Sequence, residues 1–280
     1  MRTAPVLLLT ALAMLAFAGN SVLCRLALQH TGIDPATFTS VRLVSGALVL
    51  WLLVRVRDGR TARAGNWPSA LALFAYAAAF SWAYVSLPTA AGALLLFGAV
   101  QVTMIGYGLW QGERLAPRQT LGLLAACTGL IALMLPGLSA PPLGGALLMI
   151  AAGVAWGVYS LRGKGGGDAT QTTSGNFQRA ALLTLILSAL TLPQAHLDSA
   201  GLAYAVVSGA ITSGLGYAVW YTAVRGLPAT SAATVQLSVP VIAALGGALF
   251  LHEPLTLRLV ASSLAILGGV ALVILGRRQA

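Results

Sequence analysis

The acidic side chains are few: Asp34, Asp58, Glu113, Asp168, Asp198 and Glu253. All of them fall in loops or at helix ends, outside the long apolar runs. Catalysis inside such runs needs a nucleophile with its base, paired carboxylates or a metal cluster gathered in one place. Cys24 and Cys127 lie far apart in the chain and make neither a metal site nor a disulfide. His252 beside Glu253 reads as a solvated loop histidine. No catalytic residue, no metal ligand set and no cofactor is therefore expected, and the chain does not read as an enzyme. A purely cationic ligand would find no buried counter-charge. A neutral, zwitterionic or anionic small molecule is favoured instead.

Arg42 is the least ordinary charge. It sits roughly 10 Å into its helix at about 1.5 Å per residue, and burial there costs a few kcal/mol unless the group is paired or hydrated. Bracing of carbonyls and helix ends is the favoured reading, and a positive potential lent to a cavity is the other. Tyr76, Phe80 and Tyr84 recur every fourth residue and share one helix face, as do Tyr217 and Tyr221. Such stripes ordinarily pack helices. With Trp156 they would also suit a ring-lined pocket for an apolar or aromatic side chain, whose polar ends Asn20, Gln101 and Gln236 would orient. The candidate binding set is thus Asn20, Tyr76, Phe80, Gln101, Trp156, Tyr217, Tyr221 and Gln236.

The elements that carry these residues follow from composition. The chain has 280 residues, 58% hydrophobic and only 8% charged, with a mean hydropathy of +0.86. Soluble domains carry about 25% charged residues, so a soluble body of this size is excluded. Each span needs about 20 apolar residues. The charge-free runs, divided at Ser86-Leu87-Pro88-Thr89 and again at Pro136-Gly137 and Pro141-Pro142, predict helices over 4–28, 35–54, 66–86, 89–110, 118–135, 143–161, 172–192, 199–224, 229–251 and 256–275. The expected fold is an all-α polytopic membrane protein with ten transmembrane helices.

The formal charge of +10 would suit nucleic acid in a soluble chain. Here it follows topology, because Lys and Arg collect in cytoplasmic loops. Arg2, Arg55, Arg57, Arg60, Arg63, Arg114, Arg118, Arg162, Lys164, Arg179, Arg225, Arg277 and Arg278 fall on one side, against Arg25, Arg42 and Arg258 on the other. Both termini are expected in the cytoplasm, with Trp51, Trp67 and Trp110 in an interfacial belt and no nucleic-acid partner. The Ala16-Phe17-Ala18 run resembles a signal-peptide cleavage site, yet its segment reads as the first span.

A shift of 140 residues lays Leu87-Pro88 on Leu227-Pro228, Glu113 on Glu253, Arg118 on Arg258 and Gly129 on Gly269. A shift of 137 pairs Arg25 with Arg162 and Arg42 with Arg179. Five helices per half is an odd number, so the second half must enter the membrane in the opposite sense. Two inverted-topology repeats, 1–137 and 138–280, follow, with a binding site expected near the midplane between them. The run Gly163-Lys164-Gly165-Gly166-Gly167 lacks phosphate-loop order and reads as the linker between the repeats. Glu113 and Glu253 read as charges opening the fifth and tenth helices, paired with Arg118 and Arg258.

Several short motifs are more specific: Gly19-Asn20, Ala155-Trp156-Gly157, Arg42, Gly112-Glu113-Arg114-Leu115, His252-Glu253-Pro254-Leu255 and Pro240. On these the chain resembles the drug/metabolite transporter superfamily in its ten-helix EamA branch. Val100 departs from the family's Pro-Val step. Within the branch it is most similar to the YddG-type exporters of aromatic amino acids and methionine. The resemblance implies a secondary transporter of the bacterial inner membrane, embedded in the lipid bilayer and working without an ATPase module. It implies an outward-opening basket whose cavity is lined by helices 1, 3, 4, 6, 8 and 9. A carrier of another metabolite or of a lipid-linked sugar is the runner-up, ahead of an intramembrane enzyme or a channel.

Overall fold

The computed structural model describes residues 3–59, 64–112, 114–135, 140–163, 168–224, 227 and 235–276. Among these are ten long helices in chain order, with a short 3₁₀ turn at Leu192–Gln194. They are α1 (Thr3–His30), α2 (Pro35–Asp58), α3 (Trp67–Ser86), α4 (Thr89–Trp110), α5 (Pro117–Met134), α6 (Leu143–Arg162) and α7 (Ala169–Leu190), then α8 (Ser199–Val224), α9 (Ser238–Leu251) and α10 (Leu257–Gly276). Seven of them are long and apolar enough to cross a bilayer. The other three are α5, α7 and α9. α7 opens on the polar run Thr170-Gln171-Thr172-Thr173-Ser174, and α5 carries Arg118 and Gln119 in its first turn. The described part of α9 is 14 residues, about 21 Å at roughly 1.5 Å per residue. Glu113, Pro136-Gly137, residues 164–167 of the glycine run, and Pro228 lie outside the described residues.

Local chemistry sets the helix ends. Asp34, Asp168 and Asp198 cap α2, α7 and α8 by accepting backbone N–H groups of the first turn, which offsets donors left unpaired there. Asp34 also accepts the backbone N–H of His196 at 2.9 Å, tying the α1–α2 turn to the segment before α8. Burial alone would raise the Asp34 carboxyl, but the Thr37 hydroxyl and the backbone N–H groups of Thr37, His196 and Ala36 outweigh it and hold the group below its ordinary value. Its contribution is therefore present above the unfolded-state value and disappears as pH falls through the lowered folded-state one. Asp34→Ala is expected to cost about 1–2 kcal/mol at neutral pH. In thermal unfolding of detergent-solubilised protein, the gap to wild type should narrow as the solution is acidified through the carboxylate range.

The helices pack as pairs that expose the repeat. α2 lies on α7, and α5 lies on α10. Both pairs run antiparallel. Ser40 near the start of α2 meets Ser188 near the end of α7 at 3.0 Å, while Asp58 at the end of α2 meets Gln171 near the start of α7 at 2.9 Å. Gln119 in α5 donates to the Val273 carbonyl of α10 at 3.2 Å, and Arg258 at the start of α10 donates to the Leu135 carbonyl after α5. Equivalent helices of a direct repeat would run parallel, so the two five-helix repeats are inverted. The packing of α3 on α6 is mirrored by that of α8 on α1, and α4 on α6 by α9 on α1. α4 is the most enclosed helix, buried continuously from Thr89 to Gln101. Leucines such as Leu8, Leu121, Leu185 and Leu264 are exposed around the outside, as a lipid-facing surface requires. Trp51, Trp67 and Trp110 are exposed as well, at or near helix ends on the face carrying Arg55, Arg57 and Arg162. These arginines make it the basic face.

α8 departs from regular geometry. Ser208–Leu215 forms a wide π-helical turn, a distortion frequent at functional sites. It lies where α8 crosses α2. A Cβ on Gly209 would fall 2.1 Å from the Arg42 carbonyl oxygen, and one on Gly46 would fall 2.7 Å from the Phe177 ring. Glycine alone allows α8 to approach the α2 backbone this closely.

Candidate functional site

A central cavity lies between the repeats. Its walls are Phe17, Asn20 and Ser21 of α1, Tyr76 and Phe80 of α3, Leu96 and Phe97 of α4, Trp156 of α6, Thr212, Ser213 and Tyr217 of α8, and Gln236 just before α9. The rings of Phe17, Tyr76, Phe80, Trp156 and Tyr217 form one connected cluster. Trp156 stands 4.8 Å from Tyr76 and 5.1 Å from Tyr217, and Phe17 meets Tyr217 edge-on at 5.7 Å. Contacts of this geometry add about 0.5–1.5 kcal/mol each beyond area burial.

A polar thread crosses the rings. Asn20 accepts the Ser208 hydroxyl at 2.7 Å and the Thr212 hydroxyl at 3.4 Å through Oδ1, and donates from Nδ2 to the Tyr76 hydroxyl at 3.4 Å. Tyr76 also accepts from Nη2 of Arg42 at 3.0 Å, and Nε of Arg42 donates to Ser213 at 3.4 Å. The thread joins α1, α2 and α3 of the first repeat to the wide turn of α8 in the second. Arg42 is only 2% exposed. Its guanidinium lies 4.8 Å over the Phe80 ring and 5.2 Å over that of Tyr76, an arrangement in which the ring faces partly offset desolvation.

The favoured reading of Arg42 as a brace for carbonyls and helix ends needs correction. Its partners are two hydroxyls and two rings. Arg179, its repeat counterpart, is the one that braces, donating to the carbonyls of Ala64 at 3.0 Å and Gly175 at 2.8 Å. Glu253 also differs from expectation: it pairs with Arg25 at 3.2 Å, whereas Arg258 reaches the Leu135 carbonyl.

The Arg25–Glu253 pair forms a strap across the face opposite the basic one. Nη1 of Arg25 donates to the carbonyls of Tyr84 at 2.9 Å and Val85 at 3.0 Å. The second oxygen of Glu253 accepts the Thr89 backbone N–H at 2.7 Å, which caps α4. Tyr84, wholly buried beneath the strap, donates its hydroxyl to the Thr89 carbonyl at 3.3 Å. The ends of α1, the α3–α4 turn and the α9–α10 turn are thereby tied together. With the strap made, the central cavity keeps only about 30 Å³ of water-accessible space, room for a water or two at roughly 10–15 Å³ each. The outward-opening basket that the resemblance implies is therefore not the conformation seen. Toward the basic face, beyond Trp156, lies a roomier vestibule of about 330 Å³ walled in part by Asn66, Tyr159, Arg162, Thr173, Asn176 and Tyr221.

Of the residues singled out in the sequence, Asn20, Tyr76, Phe80, Trp156, Tyr217 and Gln236 line the central cavity. Tyr221 lines the vestibule instead. Gln101 is buried on α4, one turn beyond Phe97, and belongs to neither set of walls. Phe17, Ser21, Thr212 and Ser213 were not singled out. The three polar ones carry no charge or motif, and the wide turn that aims Thr212 and Ser213 inward has no sequence signature.

An inverted pair of five-helix bundles enclosing a cavity at their junction defines a polytopic membrane protein with transporter architecture. The EamA-like transporter family matches residues 4–135 and again 143–275, so the chain belongs to that family, whose members are membrane transporters. It is 58% identical over 272 residues to the Pseudomonas aeruginosa protein PA1977, covering 97% of this chain and 95% of that one. It is 25% identical to the Bacillus subtilis transporter YvbV, covering 95% and 90% of the two chains. At 21% identity it matches the B. subtilis transporter YoaV, covering 85% and 86%. A crystal structure with 19% identity superposes over 100% of both chains with a TM-score of 0.67, a likeness of fold.

Proposed function

We propose that the protein is a secondary carrier that exports aromatic and other hydrophobic amino acids, methionine included, across the bacterial cytoplasmic membrane. Substrate would occupy the central cavity, and the halves 1–137 and 138–280 would rock about it to open one face at a time. The observation that carries this reading is the make-up of the cavity. Aromatic walls meet uncharged polar groups there, and among the described residues no carboxylate stands with them to hold a cation. An apolar pocket discriminates weakly, by about 1–3 kcal/mol per methylene, so a broad substrate range is expected. Counterflow into proteoliposomes, run with a panel of amino acids and other metabolites, tests the reading. If phenylalanine, tryptophan and methionine neither exchange nor compete with any compound that does, the amino-acid assignment is wrong and another metabolite takes their place.

Trp156→Ala and Tyr217→Ala should each lower transport by about ten-fold or more, since each removes a ring worth a few kcal/mol of buried contact. Gln101→Ala, outside the cavity walls, should transport nearly as wild type. Loss of transport in all three, or in none, would overturn the placement of the site.

The basic face would lie in the cytoplasm with both termini, a reading supported by the Lys/Arg distribution. In a Cys127→Ala background, with Cys24 buried, a cysteine replacing Ala195 should react with an impermeant thiol reagent in whole cells. One replacing Gly163 should react only after lysis, and the reverse pattern would invert the topology.

A further inference from the structure

Every acidic residue in the described part of the chain is accounted for at a helix end. Asp34 and Asp198 cap helices, Asp58 and Asp168 meet Arg57, and Glu253 meets Arg25. Arg42 has no ion pair among the described residues, although it is almost wholly buried. Its Nη1 has no hydrogen-bond partner among the described residues, and its Nε contact with Ser213 is long at 3.4 Å. A buried guanidinium with five N–H donors and so few acceptors is under-satisfied. The two side chains it does reach, Tyr76 and Ser213, are cavity walls. An acceptor that arrives through the cavity would lie within reach of the guanidinium.

We propose that Arg42 is the anion-recognising residue of this site, and that a carboxylate on the ligand is required whereas an ammonium group is dispensable. The inference rests on the reading of the central cavity as the transport site. A carboxylate seated at Tyr76 and Ser213 replaces two weak neutral acceptors with a charge-assisted, two-point contact to the planar guanidinium. The hydroxyls of Tyr76 and Ser213, which accept from Arg42, then serve as further donors to it. Nothing equivalent receives a positive group. Oδ1 of Asn20 already accepts from Ser208 and Thr212, and no carboxylate borders the cavity among the described residues. The ligand class is therefore the monocarboxylate with a large apolar tail, of which the amino acid is one member and its deaminated analogue another.

The test is a binding series on purified protein by calorimetry with four probes: phenylalanine, 3-phenylpropionate, phenylalanine amide and 2-phenylethylamine. The two acids should bind, 3-phenylpropionate at least as tightly as phenylalanine, and the amide and amine at least about ten-fold more weakly than the acids, as expected for losing hydrogen bonds to a charged group. Arg42→Lys should weaken the acids while keeping the order, and Arg42→Gln should erase the difference between acid and amide. The wild-type series stands without the variants should either fail to fold. Binding of the amide or amine as tight as that of the acids, or no binding by either acid, overturns the inference. Acid-dependent binding of 3-phenylpropionate without transport of any amino acid would instead overturn the proposed substrate alone.

Discussion

Replacing Arg25 with alanine is expected to release the face opposite the basic one and to slow transport sharply. The change removes the ion pair to Glu253 and two hydrogen bonds to the end of α3 at once. The partners are only 12% and 13% exposed. Removing one member of a buried pair costs about 3–5 kcal/mol, because the other charge is left uncompensated. If the strap breaks when this face opens, most of that loss falls on the closed state. A shift of even ~3 kcal/mol moves a two-state equilibrium by about two orders of magnitude. Spin labels at Ser86 and His252, on the two turns that the strap joins, should report a longer distance in Arg25→Ala than in wild type. Wild-type protein should reach the same longer distance for part of its population when substrate is added. A label distance unchanged in both experiments would mean that the strap is a static brace and that this face opens elsewhere.

Gly209→Ala should be more damaging than any substitution of a cavity-lining polar residue. The added methyl would stand 2.0 Å from the Ser45 hydroxyl and 2.1 Å from the Arg42 carbonyl oxygen. Backbone cannot yield as a flexible side-chain tip does, so α8 must withdraw from α2. Withdrawal pulls Ser213 off Arg42, and Ser208 and Thr212 off Asn20, which severs the polar thread between the repeats. Overpacking of this kind costs about 1–3 kcal/mol, and the lost buried hydrogen bonds add to it. Transport should be abolished and the melting temperature in detergent lowered by several degrees. Gly106→Ala is the matched control: nothing lies within 4 Å of its added Cβ, so both measurements should stay near wild type. Equal behaviour of the two variants would contradict the tight α2–α8 crossing.

The spans were legible because charge is so costly inside a bilayer that its absence marks each helix. The expected 35–54 and 89–110 compare with Pro35–Asp58 and Thr89–Trp110. The inversion was legible because five is odd and because Glu253 repeats Glu113 at a fixed shift. Ring periodicity pointed to Tyr76 and Phe80 as one face. What the sequence concealed was long-range pairing. Arg25 and Glu253 are 228 positions apart, and the nearer Arg258 was the obvious partner. Arg42 and Arg179 look equivalent under the repeat, yet one has carbonyls within reach and the other has rings and hydroxyls. The repeat relates backbones, while the partners are set by side chains in which the halves have diverged. Gln101 and Tyr221 were placed by residue type rather than by depth along the helix, and depth is what decides whether a polar or aromatic group meets the cavity or the vestibule.

The two antiparallel pairs, α2 with α7 and α5 with α10, have a kinematic consequence. If the halves exchange conformations to open one side and close the other, each contact in one state becomes its symmetry mate in the next. Contacts of α3 with α6 trade places with those of α8 with α1, so they must break and re-form. A pair made of equivalent helices maps onto itself and can persist through the whole cycle. These two pairs are then the pivots of the machine; the rings of α1, α3, α6 and α8 sit on the parts that swing, and the under-satisfied guanidinium of Arg42 reaches them from α2, a pivot.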